Sequence, residues 1–211
     1  AMAMSHVIVK EFYVENPSDY FVDYARRYTD LPFVVCLEKE KDGFVPGRFL
    51  RAADLGSSEK HAQWKTVFFD ADKDRFVVPN GSVGHRWDGS GRWNLKLEDP
   101  EGGPDFSPLL TFADHADRWI DVGFGLYDPK GATVRSGSVP VKKITDGEEE
   151  RLVTTVFDLL AAHMGVSPGS PGKDDPEDYD DPKPYSPAWQ EAITGVPRAD
   201  CIRVAREFAQ N

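Results

Sequence analysis

The stretch with the most chemically capable side chains is "VPNGSVGHRWDGSGRWN", residues 78–94. It places His85, Arg86 and Arg92 among glycines and tryptophans. Glycine lets a backbone approach a ligand closely, and guanidinium groups hydrogen-bond anions. We predict that these three side chains line the wall of a funnel that admits an anion. The alternative is a hairpin turn whose tryptophans cover a small core.

A second candidate site is the acidic run "DADKD", with aspartates at positions 70, 72 and 74. D-x-D-x-D is the opening of a calcium-binding loop. Such a loop also needs Gly at its sixth position and Glu at its twelfth, where this sequence has Arg75 and Gly81. The spacing therefore favours a solvated hairpin turn over a metal site.

Other catalytic and metal-binding motifs are missing from the sequence. The five histidines show no H-x-x-x-H or H-E-x-x-H spacing, and there is no G-x-S-x-G and no glycine-rich phosphate loop. Cys36 and Cys201 have apolar neighbours and no C-x-x-C partner, which indicates structural thiols in a reducing compartment. We assign no catalytic residue, cofactor-binding residue or metal ligand within the chain.

Composition limits the class of protein. The chain has 211 residues, 40% of them apolar, and a formal net charge of −11. This is enough apolar material for a real core, whereas the absence of a basic run argues against a nucleic-acid partner held through phosphates. The apolar runs are shorter than the roughly 18 residues that a membrane span needs. The sequence therefore indicates a soluble polypeptide.

Residues 1–62 predict two helices and a strand. The first helix, over 1–12, is apolar on most sides and has no capping residue before it, which favours a helix cut internally over a cloning scar. The second begins at Asn16 and Pro17 and carries an apolar stripe that includes its tyrosines at 20, 24 and 28. The run "PFVVCLE" predicts a strand that is buried on both faces and is therefore parallel to its neighbours. The Gly/Pro-rich sequence from residue 43 predicts a structured loop.

Residues 63–147 predict a β-rich insertion. They hold two strands around the acidic turn, then "WIDVGFGLY", which alternates apolar and polar residues, and then "VPVKKI". The fold class predicted from these patterns is α/β, with a partial parallel α/β layer from the terminal segments and this insertion in the middle.

Residues 148–211 predict a return to helix. One helix begins at Arg151 and stops at Gly165, and two more follow Ser186, separated by Gly195. Between them, 166–185 is rich in Pro, Gly and Asp and is predicted to be a solvated surface loop or linker, although its six acidic residues could also gather cations.

Several strings together resemble a known family. They are "AMAMSHVIVKEF", "NPSDYFVDYARRYTDLPFVVCLE", "GRFLRAADLG", "WKTVFFDADKDRFVVPNGSVGHRWDGSGRWN", "LVTTVFDLLAAHMGV" and "YSPAWQEAITGVPRADCIRVAREFA". In that order they resemble an internal stretch of the catalytic alpha subunit of membrane-bound respiratory nitrate reductases, molybdopterin oxidoreductases of the dimethyl-sulfoxide-reductase type. The likeness is weak only between about residues 98 and 145.

The resemblance implies a parent enzyme that reduces nitrate to nitrite in anaerobic electron transport. It implies molybdenum held by bis(molybdopterin guanine dinucleotide) and a [4Fe-4S] cluster, with electrons from an iron–sulfur beta subunit and a haem b membrane gamma subunit. The family's metal-ligand motifs match no residue here. We therefore expect a fragment that begins after a cofactor-holding turn, is inactive alone, and is membrane-associated, on the cytoplasmic face, only through its partners.

Two alternatives stay open from the sequence. One is the same fragment of a related molybdopterin reductase that acts on perchlorate, selenate or a hydrocarbon. The other is a free-standing scaffold or interaction domain that docks a partner through its acidic, proline-rich loop.

Overall fold

The computed structural model describes residues 1–81, 95–99, 101–126, 134–146 and 149–210. The helices are α1 (Met2–Ile8), which continues as a π-helix (Val9–Glu15), α2 (Asp19–Tyr28), α3 (Val156–His163), α4 (Pro187–Thr194) and α5 (Arg198–Gln210). The strands are β1 (Val34–Glu40), β2 (Gly43–Phe49), β3 (Phe68–Asp70), β4 (Arg75–Val77), β5 (Asn80–Gly81), β6 (Leu95–Lys96), β7 (Arg118–Gly125), β8 (Val134–Asp146) and β9 (Glu149–Thr155).

Five of these strands form a closed barrel in the order β1-β2-β7-β8-β9. All neighbours are antiparallel except β2 and β7, which pair in parallel through Phe44 and Val122. The barrel closes where Val34 on β1 faces Thr155 on β9. Strands β3 and β4 form a separate hairpin, as do β5 and β6.

The first four residues of strand β1 are buried on both faces, as the apolar run predicts, but the predicted parallel pairing is wrong. Val35 and Leu37 join a core cluster to which all five barrel strands contribute. Val34 and Cys36 face the other way, into a cluster built with the β3–β4 hairpin and Phe112. A second apolar layer over the barrel, rather than a βαβ crossover, therefore explains the continuous apolar run.

Two element boundaries differ from the sequence prediction. The expected loop after residue 43 is strand β2, because it pairs with β1 along its length. The helix expected from Arg151 begins only at Val156, because 149–155 pairs with β8 and β1. Thr155 caps that helix by accepting a hydrogen bond from Asp158 N.

The first two helices lie where the sequence predicts them, with small differences. The first continues past residue 12, and its buried side chains are Ala3, His6, Val7 and Val9. The second is capped by Ser18 rather than Asn16. Its tyrosines at 20, 24 and 28 are exposed at 78%, 47% and 53%, so the predicted apolar stripe is only partly buried.

The residues predicted to begin and end α4 are confirmed. Ser186 accepts a hydrogen bond from Trp189 N, Pro187 opens the helix, and Gly195 ends it with φ 73°. Helices α1, α4 and α5 pack against one another. In the described ranges, no helix has both the length and the apolar character needed to cross a membrane. The α/β fold class and the three-part division of the chain stay predictions.

We expect Gly137→Ala to destabilise the chain by about 2 kcal/mol. A Cβ at Gly137 would lie 2.8 Å from the carbonyl oxygen of Ala162, so β8 and α3 would have to move apart. The measurement is the free energy of unfolding by urea titration. The matched control is Gly123→Ala on the neighbouring strand, where the nearest atom is 3.6 Å away and little loss is expected. Equal losses in both variants would contradict the close approach.

Candidate functional site

A buried arginine marks the most polar site in the described core. Arg135 lies near the start of β8 with 1% of its side chain exposed. It donates hydrogen bonds to the carbonyl oxygens of Ala162 and of His163, the latter at 2.8 Å, and to that of Asp174 at 3.3 Å. Carbonyls in the last turn of a helix lack helical partners, and the negative end of the helix dipole favours a cation. Arg135 therefore completes the C-terminal end of α3.

The charge of Arg135 is balanced by Asp175. One carboxylate oxygen lies 2.9 Å from the guanidinium, and the aspartate side chain is 5% exposed. The other oxygen accepts hydrogen bonds from the Ser167 hydroxyl at 2.6 Å and from Gly172 N at 2.8 Å. A buried ion pair with these extra donors has its desolvation cost offset. The prediction that this acidic run is simply solvated is therefore wrong for Asp175.

The loop 166–185 lies directly against strand β8. The Asp174 carboxylate accepts a hydrogen bond from Ser136 N at 2.7 Å. A Cβ at Gly172 would lie 2.8 Å from Ser138 N, so only glycine fits this backbone-to-backbone approach. The loop is therefore a packed layer over one end of the barrel.

Aromatic side chains cover the same end of α3. The His163 ring stacks on Phe124 with centroids 5.1 Å apart, and its Nε2 lies 3.3 Å from the Tyr185 hydroxyl. Tyr185 is buried in the left-handed region at φ 73° and contacts Trp189 edge-on. Burial, followed by the Arg135 cation, lowers the pKa of His163.

The N-terminal helix joins this site from the other side. His6 is 1% exposed, and its Nδ1 lies 2.7 Å from the Met164 carbonyl oxygen. Burial lowers the pKa of His6, and the neutral ring donates from Nδ1. Further along, Glu11 accepts hydrogen bonds from the Tyr179 hydroxyl at 2.8 Å and from Nε and Nη2 of Arg206.

These contacts form one structural unit, which we call the Arg135 network: Arg135, Asp174, Asp175, His163, Tyr185, His6, Glu11, Tyr179 and Arg206. Most of its hydrogen-bonding groups face one another, and its central cation is neutralised by a carboxylate. Among the described residues, Nε of Arg135 and Nε2 of His6 are buried without a hydrogen-bond partner. An anion would have to displace Asp175 to reach that cation. The network is therefore suited to holding α1, α3, α5, β8 and the loop together rather than to binding a substrate.

A second polar centre lies at the other end of α3. Asp158 is fully buried, and its carboxylate faces the Thr111 hydroxyl at 2.6 Å, Phe112 N at 3.0 Å and the Thr155 hydroxyl at 2.9 Å. The Thr155 hydroxyl lies closer still, at 2.6 Å, to the carbonyl of Leu110. Because that hydroxyl has one proton, the protonated form of Asp158 can supply the missing donor.

Burial is the largest influence on this carboxyl group and raises the pKa of Asp158 to about 6. The hydrogen bonds from Thr111, Phe112 and Thr155 act in the opposite direction and are outweighed. A buried carboxyl titrating there could serve an acid–base step, but no partner positioned for such a step lies beside it in the described structure. Its observed role is to fix the start of α3.

A cavity of about 270 Å³ lies beside strand β4. Its buried lining includes Val67 and Phe106, and charged side chains reach it at its exposed side. Two of these are already paired: Glu59 with Lys65 at 2.9 Å, and Asp99 with Lys73 at 2.6 Å. Among the described residues that line the cavity, no nucleophile is paired with a base.

The residues predicted from the sequence are only partly placed. His85, Arg86 and Arg92 lie outside the described residues, so the anion funnel stays a prediction. The hairpin interpretation of the acidic run is confirmed: Asp70 accepts hydrogen bonds from Asp72 N and Lys73 N in the turn between β3 and β4. The turn is only partly solvated, because Asp70 itself is buried at 0% exposure.

Within the parts of the chain that the structure describes, no group of three or more His, Cys, Asp or Glu side chains could hold a metal ion. Cys36 and Cys201 are both buried and form no disulfide. The described donors therefore do not fit a molybdenum site or an iron–sulfur cluster.

Sequence reasoning missed the Arg135 network altogether. Its one signal is an arginine in the apolar strand sequence around "VRSGSVPV". Asp175 is one of six acidic residues in the loop 166–185, and nothing in the sequence distinguishes it from the other five. Neither position reveals its partner, because the pairing depends on how the loop folds back.

Comparison with known proteins gives one consistent result. Over its whole length the chain is 43% identical to the nitrate reductase alpha chain of Bacillus subtilis and 42% identical to the respiratory nitrate reductase 1 alpha chain of Escherichia coli. It is 46% identical to the nitrate reductase alpha subunit of Mycobacterium tuberculosis. The chain spans only 17% to 18% of these relatives. No family model matches it.

We expect Arg135→Met to destabilise the chain by about 3 kcal/mol, because Asp175 and the end of α3 would lose their partner while buried. The measurement is the free energy of unfolding by urea titration. The control is Arg203→Met, which breaks an ion pair whose partners are 58% and 59% exposed and should change stability little. A similar small loss in both variants would show that Arg135 does not organise the site.

We expect Asp158 to make the chain less stable as the pH rises. Its pKa is raised in the folded chain from 3.8 to about 6, so its contribution is complete below the unfolded value and is lost as the pH passes through the folded one. The side chain of the Asp158→Asn variant stays neutral at all pH values. The free energy of unfolding of this variant, relative to that of the parent chain, should therefore rise by about 2 kcal/mol between about pH 4 and pH 8. Unfolding free energies at both pH values measure this gain. Parallel pH profiles for the two chains would rule it out.

Proposed function

Because the chain is related over its whole length to the alpha chains of nitrate reductases, we propose that it is a segment of such a subunit. The parent is a molybdenum-dependent respiratory enzyme that reduces nitrate to nitrite in anaerobic electron transport. The observation that carries the proposal is similarity over the whole chain, at 42% to 46% identity, to relatives from three bacterial species.

The segment's own contribution is structural. Its described residues form a closed barrel braced by the Arg135 network, and they present no reactive pair. In the parent, the cofactor supplies oxygen-atom transfer, and the polypeptide positions cofactor and substrate and controls access. Because the family's metal-ligand motifs match no residue of the chain, we propose that the protein ligands of the molybdenum and of the [4Fe-4S] cluster lie in other parts of the subunit.

The partners follow from the same proposal. The parent alpha subunit receives electrons from an iron–sulfur beta subunit, which a haem b gamma subunit connects to the membrane. Membrane association, on the cytoplasmic face, then comes from those partners. The relatives' names favour nitrate over perchlorate, selenate or a hydrocarbon as the substrate. The free-standing scaffold is less well supported, because its proposed docking loop is packed on β8 through Asp174 and Asp175.

We expect the isolated 211-residue chain, purified from a host that makes molybdopterin, to contain no stoichiometric molybdenum. We also expect the chain to restore nitrate reduction when it replaces the matching segment of the Bacillus subtilis alpha chain. The reason is that the segment supplies architecture and the remaining subunit supplies the cofactor ligands. Plasma mass spectrometry measures the metal, and nitrite formation with a reduced viologen dye measures the activity.

The control is the same subunit with the segment deleted, which should be inactive. Stoichiometric molybdenum in the isolated chain would contradict the structural role. A grafted subunit that assembles and holds molybdenum but forms no nitrite would contradict the proposed function.

A further inference from the structure

A largely irregular stretch of chain, which we call the 106–117 segment, packs on β1, β3 and α3. Leu110 joins an apolar cluster that includes Phe157 of α3. Phe112 is completely buried and joins a second cluster, which includes Cys36 of β1 and the β3 side of the hairpin. The segment therefore closes two apolar clusters at once.

Polar contacts attach the segment at three places. At its start, the carbonyl oxygen of Ser107 and the amide of Leu109 hydrogen-bond to β3 and the turn after it. At its end, Asp117 N donates a hydrogen bond to β8 at 2.8 Å. Between these attachments, residues 110–112 make their polar contacts with the start of α3. The middle of the segment is therefore held through the groups that cap that helix.

The contacts at the start of α3 need a proton from Asp158. The Thr155 hydroxyl accepts a hydrogen bond from Asp158 N at 3.0 Å and donates one to the carbonyl oxygen of Leu110 at 2.6 Å. The same hydroxyl lies 2.9 Å from a carboxyl oxygen of Asp158. Because a hydroxyl has one proton and Leu110 receives it, the carboxyl group has to supply the proton for this third contact. The closed arrangement is therefore complete only when Asp158 is protonated.

Ionisation of Asp158 leaves the closed segment with one contact too few. If the Thr155 proton turns to the carboxylate, the Leu110 carbonyl oxygen loses its donor. If that proton stays on Leu110, two oxygens face each other without a proton between them. Asp158 is also 0% exposed, and no cation pairs with it in the described structure. A buried charge without a partner is costly, so the ionised form favours a state in which water reaches it.

The groups that face the Asp158 carboxyl are uncharged. They are Thr111 and Phe112 N from the segment, and Thr154 and Thr155 from β9. The ionisable side chains of the segment itself are exposed: Asp114, His115 and Asp117. The response of the buried contacts to pH therefore comes from Asp158.

We propose that Asp158 is a pH switch: with its carboxyl proton it holds the 106–117 segment closed, and without that proton the segment opens locally. Opening withdraws Leu110 and Phe112 from their clusters and exposes apolar surface on β1 and β3. The switch requires only residues of this chain and does not depend on the proposed function.

The direction of the switch follows from proton linkage. Burial raises the pKa of Asp158 from 3.8 to about 6 in the closed chain, whereas in the open segment the carboxyl meets water. The closed form is therefore favoured most below the lower value, and this advantage is lost as the pH rises to the higher one. We expect the equilibrium constant for opening to increase about tenfold between pH 5 and pH 7.

Hydrogen exchange of the 211-residue chain, followed by peptide mass spectrometry, measures this opening. The protection factor of the 106–117 segment, corrected for the intrinsic effect of pH on exchange, should fall about tenfold between pH 5 and pH 7. In Asp158→Asn it should stay constant, because the side chain has no proton to lose. His115→Gln is the matched control, since it removes the histidine of the segment, and should show the same fall as the parent chain.

Strand β7 (Arg118–Gly125) distinguishes local opening from unfolding of the whole chain. At pH 7 its amides should be better protected than those of the segment, and their exchange should accelerate in about 1 M urea. Exchange of the segment should change little in urea, because local opening exposes little surface. These comparisons within the parent chain do not require Asp158→Asn to fold.

Three results would overturn the proposal. One is segment protection that stays constant with pH in the parent chain, or falls equally in Asp158→Asn. The second is a loss of the pH dependence in His115→Gln, which would assign it to histidine. The third is equal protection and equal urea dependence in the segment and in β7, because the segment would then open only when the whole chain unfolds.

Discussion

The burial of one positive charge organises this molecule. A guanidinium removed from water requires a counter-charge and acceptors for its protons. The two terminal nitrogens of Arg135 meet them in Asp175 and in the last carbonyls of α3. Meeting that requirement brings the proline-rich loop onto β8 and leaves room only for glycine at position 172. The loop, the helix and the strand thus hold their positions because one cation needs all three.

Helix α3 is held at both ends by different chemistry. At its start, the Thr155 hydroxyl and the buried Asp158 carboxyl satisfy free backbone amides and connect the helix to the segment that contains Thr111. At its end, Arg135 satisfies free carbonyls. A short helix of this kind has little stability of its own, so tertiary contacts at its termini determine where it begins and stops.

Local signals in the sequence predicted local structure well. Ser186, Pro187 and Gly195 correctly predicted the ends of α4. A capping side chain, the restricted φ of proline and a left-handed glycine each affect the backbone only within a few residues, so their effect can be predicted from the local sequence. The apolar run of β1 indicated double burial but not its cause, because the covering layer comes from the distant hairpin around β3 and β4. The charged network was not predictable, since six acidic residues in one loop were equivalent until the fold brought one of them to Arg135.

The closure of the barrel has a consequence for how the chain is made. Strand β1 lies near the beginning of the chain, yet one of its two barrel neighbours is β9, which ends at Thr155. During synthesis from the N-terminus, β1 leaves the ribosome long before the strand that completes its sheet. During that interval its apolar faces are exposed and the edge that will pair with β9 has no partner strand. A nascent strand in this state is most prone to aggregate or to bind a chaperone. The segment is thus most vulnerable while it is being translated, before the contacts that later make it rigid exist.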